Sequence, residues 1–182
     1  MIPERLLPEQ YRTDAFIAGG FAACPALAAD IDVWIPVPAG QCDFARLEIL
    51  NYLNDKCIDF DEQDGEHSAR RRFQDNRALA NSQLLSTFEG YHTVLFLRRV
   101  AIVRLVGASL PYHLIVVEGH IDEILSSFDI STHQVALTSN GVVRGEHWTP
   151  VTEPPVVITE KYTTPARIQK IRQRYGFNPV TD

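Results

Sequence analysis

Residues 16–35, FIAGGFAACPALAADIDVWI, constrain this chain more than any other stretch: two adjacent glycines, Gly19 and Gly20, precede two aspartates one residue apart, Asp30 and Asp32. Residues 15–18 are a short apolar run ending at the glycines, which reads as a strand entering a tight turn. Residues 21–29 are alanine-rich and read as helical, with Pro25 near the helix start or bending it. Residues 30–36 alternate and are rich in β-branched and aromatic side chains, so they read as a second strand. Side chains at i and i+2 of a strand share a face. Asp30, Asp32 and Trp34 therefore share one face, and Ile31, Val33 and Ile35 point the other way, into a core.

The spacing has chemical consequences. Two carboxylates held side by side repel unless a cation lies between them. Hard divalent cations such as Mg²⁺ prefer carboxylate oxygen and accompany nucleotide phosphates. Glycine lets backbone approach a ligand closely, and N–H groups at a helix start attract phosphate. Acidic pairs on strands and Gly-Gly turns are each common alone; their combination in this order discriminates.

Strand, Gly-Gly, helix, then a strand bearing Asp-x-Asp resembles the nucleotidyltransferase superfamily, the group that includes DNA polymerase β and the CCA-adding enzymes. The motif stands here as Ile17-Ala18-Gly19-Gly20 and Asp30-Ile31-Asp32-Val33. The segment looks especially like the CCA-adding and minimal viral or phage branches. The resemblance implies a single α/β (α+β) domain over residues 1–182, with a mixed central sheet flanked by helices in the polymerase-β-like manner. It implies metal-dependent transfer of a nucleotidyl group from an NTP to a hydroxyl of RNA, protein or a small molecule. Mg²⁺ is the expected cofactor, as two ions, with Mn²⁺ as a substitute.

The family also uses a third carboxylate, for which Asp129 in Ser127-Phe128-Asp129-Ile130-Ser131 is the best match, read as the start of a strand. Asp30, Asp32 and Asp129 are then the expected metal ligands and catalytic residues, with Gly19 and Gly20 beside the phosphates. The family often has Ser or Arg shortly after the second glycine, where this chain has Phe21-Ala22-Ala23. A reading from a different class is a catalytically inactive protein that keeps this fold as a binding or structural module.

Residues 164–175 read as a last helix, with Pro165 in its first turn and Gly176 just past its end. Arg167, Lys170 and Arg174 recur at i, i+3 and i+7, opposite Ile168, Ile171 and Tyr175. The basic face suits phosphate or RNA, and a solvated amphipathic face is the plainer reading. This stretch also resembles the basic tails of minimal viral nucleotidyltransferases, and Arg167 and Lys170 are the expected nucleotide contacts.

The remaining chain adds bounds. With 45% hydrophobic and 22% charged residues, 182 residues fit one ordinary globular domain. No run of about 18 apolar residues occurs, so neither a transmembrane helix nor a membrane partner is expected, and the start lacks the apolar run of a signal peptide. Cys24, Cys42 and Cys57 form no C-x-x-C pair, which reads as reduced thiols and a cytoplasmic setting, that of the host for a viral or phage protein. The net charge of −6 repels nucleic acid globally, although basic clusters at residues 161–181 and at Arg70, Arg71, Arg72 and Arg77 could hold phosphate locally. Residues 43–54 read as a helix capped by Asp43, with Phe44, Leu47, Leu50 and Leu53 as its apolar positions. Residues 59–68 read as a loop, 94–97, 101–106 and 113–117 as strands, 120–127 as a helix and 128–137 as a strand; Asn140-Gly141 marks a hairpin. The six histidines show no metal spacing along the chain. His133 reads as a core or surface residue that could face the site, and Trp34 as a packing residue that could also stack on a base.

Overall fold

The computed structural model describes residues 2–63, 100–105, 110–158 and 164–177. Its strands are β1 (Phe16–Ala18), β2 (Ile31–Val37), β3 (Phe60–Gln63), β4 (Val100–Leu105), β5 (Tyr112–Glu118), β6 (Val135–Thr138) and β7 (Gly141–Arg144). They form one sheet in the order β3-β4-β5-β2-β1-β6-β7. Only β2 and β5 run parallel, and the other neighbours are antiparallel. The helices are α1 (Glu9–Arg12), α2 (Gly20–Ala23), α3 (Cys42–Asp55), α4 (Ile121–Ser126) and α5 (Pro165–Arg174). The expected mixed central sheet with flanking helices is therefore present. No helix among the described residues is long and apolar enough to cross a membrane.

Alternation along β2 assigns the two faces of the sheet. Ile31, Val33 and Ile35 join Ile17, Leu114 and Val116 in one buried cluster, covered by Ala45, Ile49 and Leu53 of α3. Trp34 lies on the opposite face with Phe16, Ala18, Ile115 and Val117, beneath Ile124 and Leu125 of α4. Burying each large apolar side chain contributes roughly 1.5–3 kcal/mol, so both layers hold β2 rigidly at the centre. The Asn140-Gly141 signal is realised as the β6–β7 hairpin, with Thr138 opposite Gly141.

Several local expectations are corrected. The alanine-rich helix ends early: α2 stops at Ala23, Cys24 is extended, and Pro25–Leu27 forms a separate 3-10 turn. Proline disfavours a helical residue before it and cannot donate the helix hydrogen bond, which accounts for the break. Pro8 likewise separates α1 from a 3-10 turn at Glu4–Leu6. Gln41, not Asp43, holds the N-cap position of α3, without a side-chain capping bond, and Phe44 and Leu47 face solvent while Ala45 and Ile49 carry the buried stripe. Part of the expected acidic loop is strand β3, recruited by pairing with β4.

Residues 128–137 are not one strand. Ile130 makes a single bridge to Val157, Ser131–His133 form a 3-10 turn, and β6 begins at Val135. The Ser131 side chain explains the interruption. Its Oγ accepts the Val156 N–H at 3.0 Å and contacts Thr149 Oγ1 at 2.6 Å, a side-chain alternative to ladder bonding. The expected strand at 94–97 and the Arg70, Arg71, Arg72 and Arg77 cluster lie outside the described residues.

Candidate functional site

Strand register builds the centre of the site. Asp32 pairs with His113 of β5 on one side and with Ala18 of β1 on the other, and Ala18 pairs in turn with Ala136 of β6. One row across the sheet thus reads His113, Asp32, Ala18, Ala136. Neighbouring strands lie roughly 4.8 Å apart, which brings the imidazole to the carboxylate. His113 Nδ1 is 3.2 Å from Asp32 Oδ1 and 3.9 Å from Asp30 Oδ2. One potential ligand atom from each of Asp30, Asp32 and His113 lies within 4.8 Å of the other two.

The glycine turn touches this cluster. Gly19 has φ +79°, a left-handed conformation that favours glycine, and a Cβ there would lie 3.3 Å from Asp32 Oδ2. A Cβ on Gly20 would lie 3.3 Å from Arg174 Nη1. The turn therefore runs between the Asp32 carboxylate and a guanidinium from the far end of the chain.

That guanidinium belongs to α5, in which Pro165 and Gly176 take the boundary places expected of them and Thr164 adds a cap. Thr164 Oγ1 accepts the Arg167 N–H, Pro165 sits in the first turn, and Gly176 follows the helix with φ +79°. Buried Ile171 packs one side. Two further contacts fix the helix near each end: Arg167 to Asp129, and the Tyr175 hydroxyl to His133 Nε2 at 3.1 Å.

The electrostatics follow the packing. Burial, and then the neighbouring Asp32 charge, push the Asp30 carboxyl above its ordinary value; His113, Arg174 and Lys170 oppose the rise. Two cations of α5 thus act on Asp30. Burial and the adjacent Arg167 charge lower His133 to about 4, so it is neutral at pH 7.

Gly19, Gly20, Asp30, Asp32 and Lys170 of the expected site lie together, and Arg174 joins them. Asp129 is placed differently. It lies in the bend after α4 rather than at a strand start. Arg167 holds its carboxylate, with Nε donating to Oδ2 at 2.8 Å and Nη2 to Oδ1 at 3.0 Å. Among the described residues, the one cluster of three close ligand atoms contains His113 and not Asp129. Arg167 correspondingly meets a carboxylate where a nucleotide contact was expected. Trp34 is buried against Phe128, with ring centroids 5.0 Å apart, and serves packing.

Histidine spacing along the chain carries no sign of His113. The usable signal was its place at the head of an apolar strand, where lateral pairing with the Asp-x-Asp strand brings it to the carboxylates. Two carboxylates and an imidazole suit a divalent cation: carboxylate oxygens suit Mg²⁺ or Mn²⁺, and imidazole suits the later transition ions. The left-handed Gly19, whose missing Cβ leaves room at Asp32 Oδ2, supports that fit.

No protein-family model matches the chain, and no curated protein matches it.

Proposed function

We propose that this chain is a metal-dependent nucleotidyltransferase of polymerase-β-like fold, moving a nucleotidyl group from an NTP to a hydroxyl of RNA, protein or a small molecule. The observation that carries this reading is the seating of the Gly19-Gly20 turn between Asp32 and Arg174. It brings together a close-approach backbone, two carboxylates and a basic helix face, the groups that a triphosphate with its cation needs.

In this reading the acceptor oxygen attacks the α-phosphorus, the bond to pyrophosphate breaks, and the proton of the acceptor hydroxyl passes to water. Asp30 and Asp32 hold the metal, which when bound supplies Lewis-acid stabilisation of the phosphates and of the attacking oxygen. Gly19 and Gly20 allow the triphosphate to approach the backbone. Lys170 and Arg174 offset its negative charge, and Arg174, beside Gly20, supplies a cation that Phe21-Ala22-Ala23 do not. Asp129 and Arg167 act as positioning residues that hold α5. Three cysteines with no C-x-x-C pair support a cytoplasmic setting in this reading, that of the host for a viral or phage protein.

One observation favours a second reading, an inactive fold kept as a binding module: the Asp129 carboxylate is engaged by Arg167. Melting curves with Mg²⁺ and ATP or GTP, for wild type and Asp30→Asn, separate the two. The enzyme reading expects stabilisation of wild type that Asp30→Asn loses, together with label transfer from an α-labelled NTP to an acceptor. Stabilisation without transfer, across RNA, protein and small-molecule acceptors, supports the binding module. An unchanged melting temperature rejects nucleotide binding in either form.

A further inference from the structure

We propose that Asp30, Asp32 and His113 form a mixed-donor cation site that takes a transition-metal ion, Mn²⁺ or Co²⁺, in preference to Mg²⁺. The inference deepens the metal-dependent reading of the same site and rests on it for the role of the ion. Its test needs no nucleotide.

The geometry carries the assignment. His113 Nδ1 faces both carboxylates, at 3.2 Å from one and 3.9 Å from the other. Ligands about 2.1 Å from a common ion stand roughly 3.0–3.5 Å apart at octahedral or tetrahedral angles. The His113–Asp32 separation lies within that range, and Asp30 Oδ2, at 3.9 Å from His113 Nδ1 on a half-exposed side chain, lies just outside it. The cluster is anchored from both sides, since Asp32 and His113 sit on adjacent parallel strands in direct register. On the open side, the missing Cβ of Gly19 leaves room beside Asp32 Oδ2.

The donor set decides the ion. Mg²⁺ strongly prefers oxygen and gains little from an imidazole, whereas affinity for nitrogen rises from Mn²⁺ through Co²⁺. Three carboxylates would leave Mg²⁺ the natural occupant. The structure instead puts an imidazole third, and Arg167 engages the remaining carboxylate, Asp129.

The competing account is that His113 Nδ1–H simply donates a hydrogen bond to Asp32 Oδ1 at 3.2 Å and no ion binds. Titration of the metal-free full chain with MgCl₂, MnCl₂ and CoCl₂ at pH 7.5, followed by calorimetry and melting temperature, distinguishes the two. The expected result is Co²⁺ and Mn²⁺ affinity at least tenfold above that for Mg²⁺, with His113→Gln reducing the Co²⁺-to-Mg²⁺ ratio about tenfold. Pulsed electron paramagnetic resonance of the Mn²⁺-loaded wild type gives a second readout that requires no variant: modulation from an imidazole nitrogen. Equal affinity for Mg²⁺ and Co²⁺, a ratio unchanged in His113→Gln, or no nitrogen coupling overturns the proposal. Mg²⁺·NTP binding that persists alongside any of those results leaves the nucleotidyltransferase reading standing and this inference rejected. Co²⁺ binding through His113 without nucleotide binding does the reverse.

Discussion

Arg167 and Asp129 form a two-pronged ion pair in which the carboxylate side chain is only 5% exposed and the guanidinium side chain 13% exposed. The pair ties α5 to the bend after α4, on the side of the sheet where Lys170 and Arg174 meet the aspartates. Removing one partner from such a pair leaves a buried charge without its counter-ion, at a cost of roughly 3–5 kcal/mol. Arg167→Met is expected to destabilise by about that amount in urea denaturation. The double variant Arg167→Met with Asp129→Leu should recover much of the loss, because neither buried charge remains. A double variant no more stable than the single one would mean that the pair does more than satisfy itself.

The two adjacent glycines are expected to respond differently to alanine. At Gly19 the backbone is left-handed and the new methyl would meet Asp32 Oδ2 at 3.3 Å. Gly19→Ala should cost about 1–2 kcal/mol and weaken divalent-cation binding, since the carboxylate it displaces is a proposed ligand. At Gly20 the neighbour is the tip of Arg174, a flexible side chain that can move. Gly20→Ala should therefore change urea stability by less than about 1 kcal/mol and leave cation binding intact. Equal effects of the two substitutions on cation affinity would contradict this account of the turn.

The first half of the site was legible because its information is local. A strand, a glycine pair, an alternating strand and two aspartates of one parity lie within twenty residues, and β1 and β2 form where those patterns placed them. α5 was legible for the same reason: Pro165 and Gly176 each carry a boundary signal in their own chemistry. The third member of the cluster was not. His113 reaches Asp32 through lateral strand pairing, a relation between segments that no spacing along the chain encodes. Asp129 has the hydrophobic flanks of a strand carboxylate, yet the segment after it leaves the ladder where the Ser131 side chain bonds the 149–156 segment. Its partner Arg167 lies 38 residues away, and such a pairing shows only after folding.

His133 gives the fold a definite acid response. The imidazole is buried beside Arg167 and bonded to Tyr175, and its pKa falls from 6.5 to about 4. Between those two values the unfolded chain binds a proton that the folded chain does not. Stability therefore rises with pH through that window, and acidification from pH 6.5 toward 4 removes it. The gap corresponds to about 3 kcal/mol for a fully buried group. Asp30 works in the opposite sense. Its folded-state pKa is raised, so the stability it contributes is present when protonated and lost as pH rises through that raised value. A raw pH profile mixes the two, and the difference between wild type and His133→Gln isolates the histidine, because Asp30 is common to both. Urea denaturation at pH 7, 6 and 5 should show wild type losing more stability on acidification than His133→Gln, by roughly 2 kcal/mol at pH 5. Parallel profiles for the two proteins would mean that His133 takes up its proton without unfolding its surroundings, and that the Tyr175 contact opens to admit water.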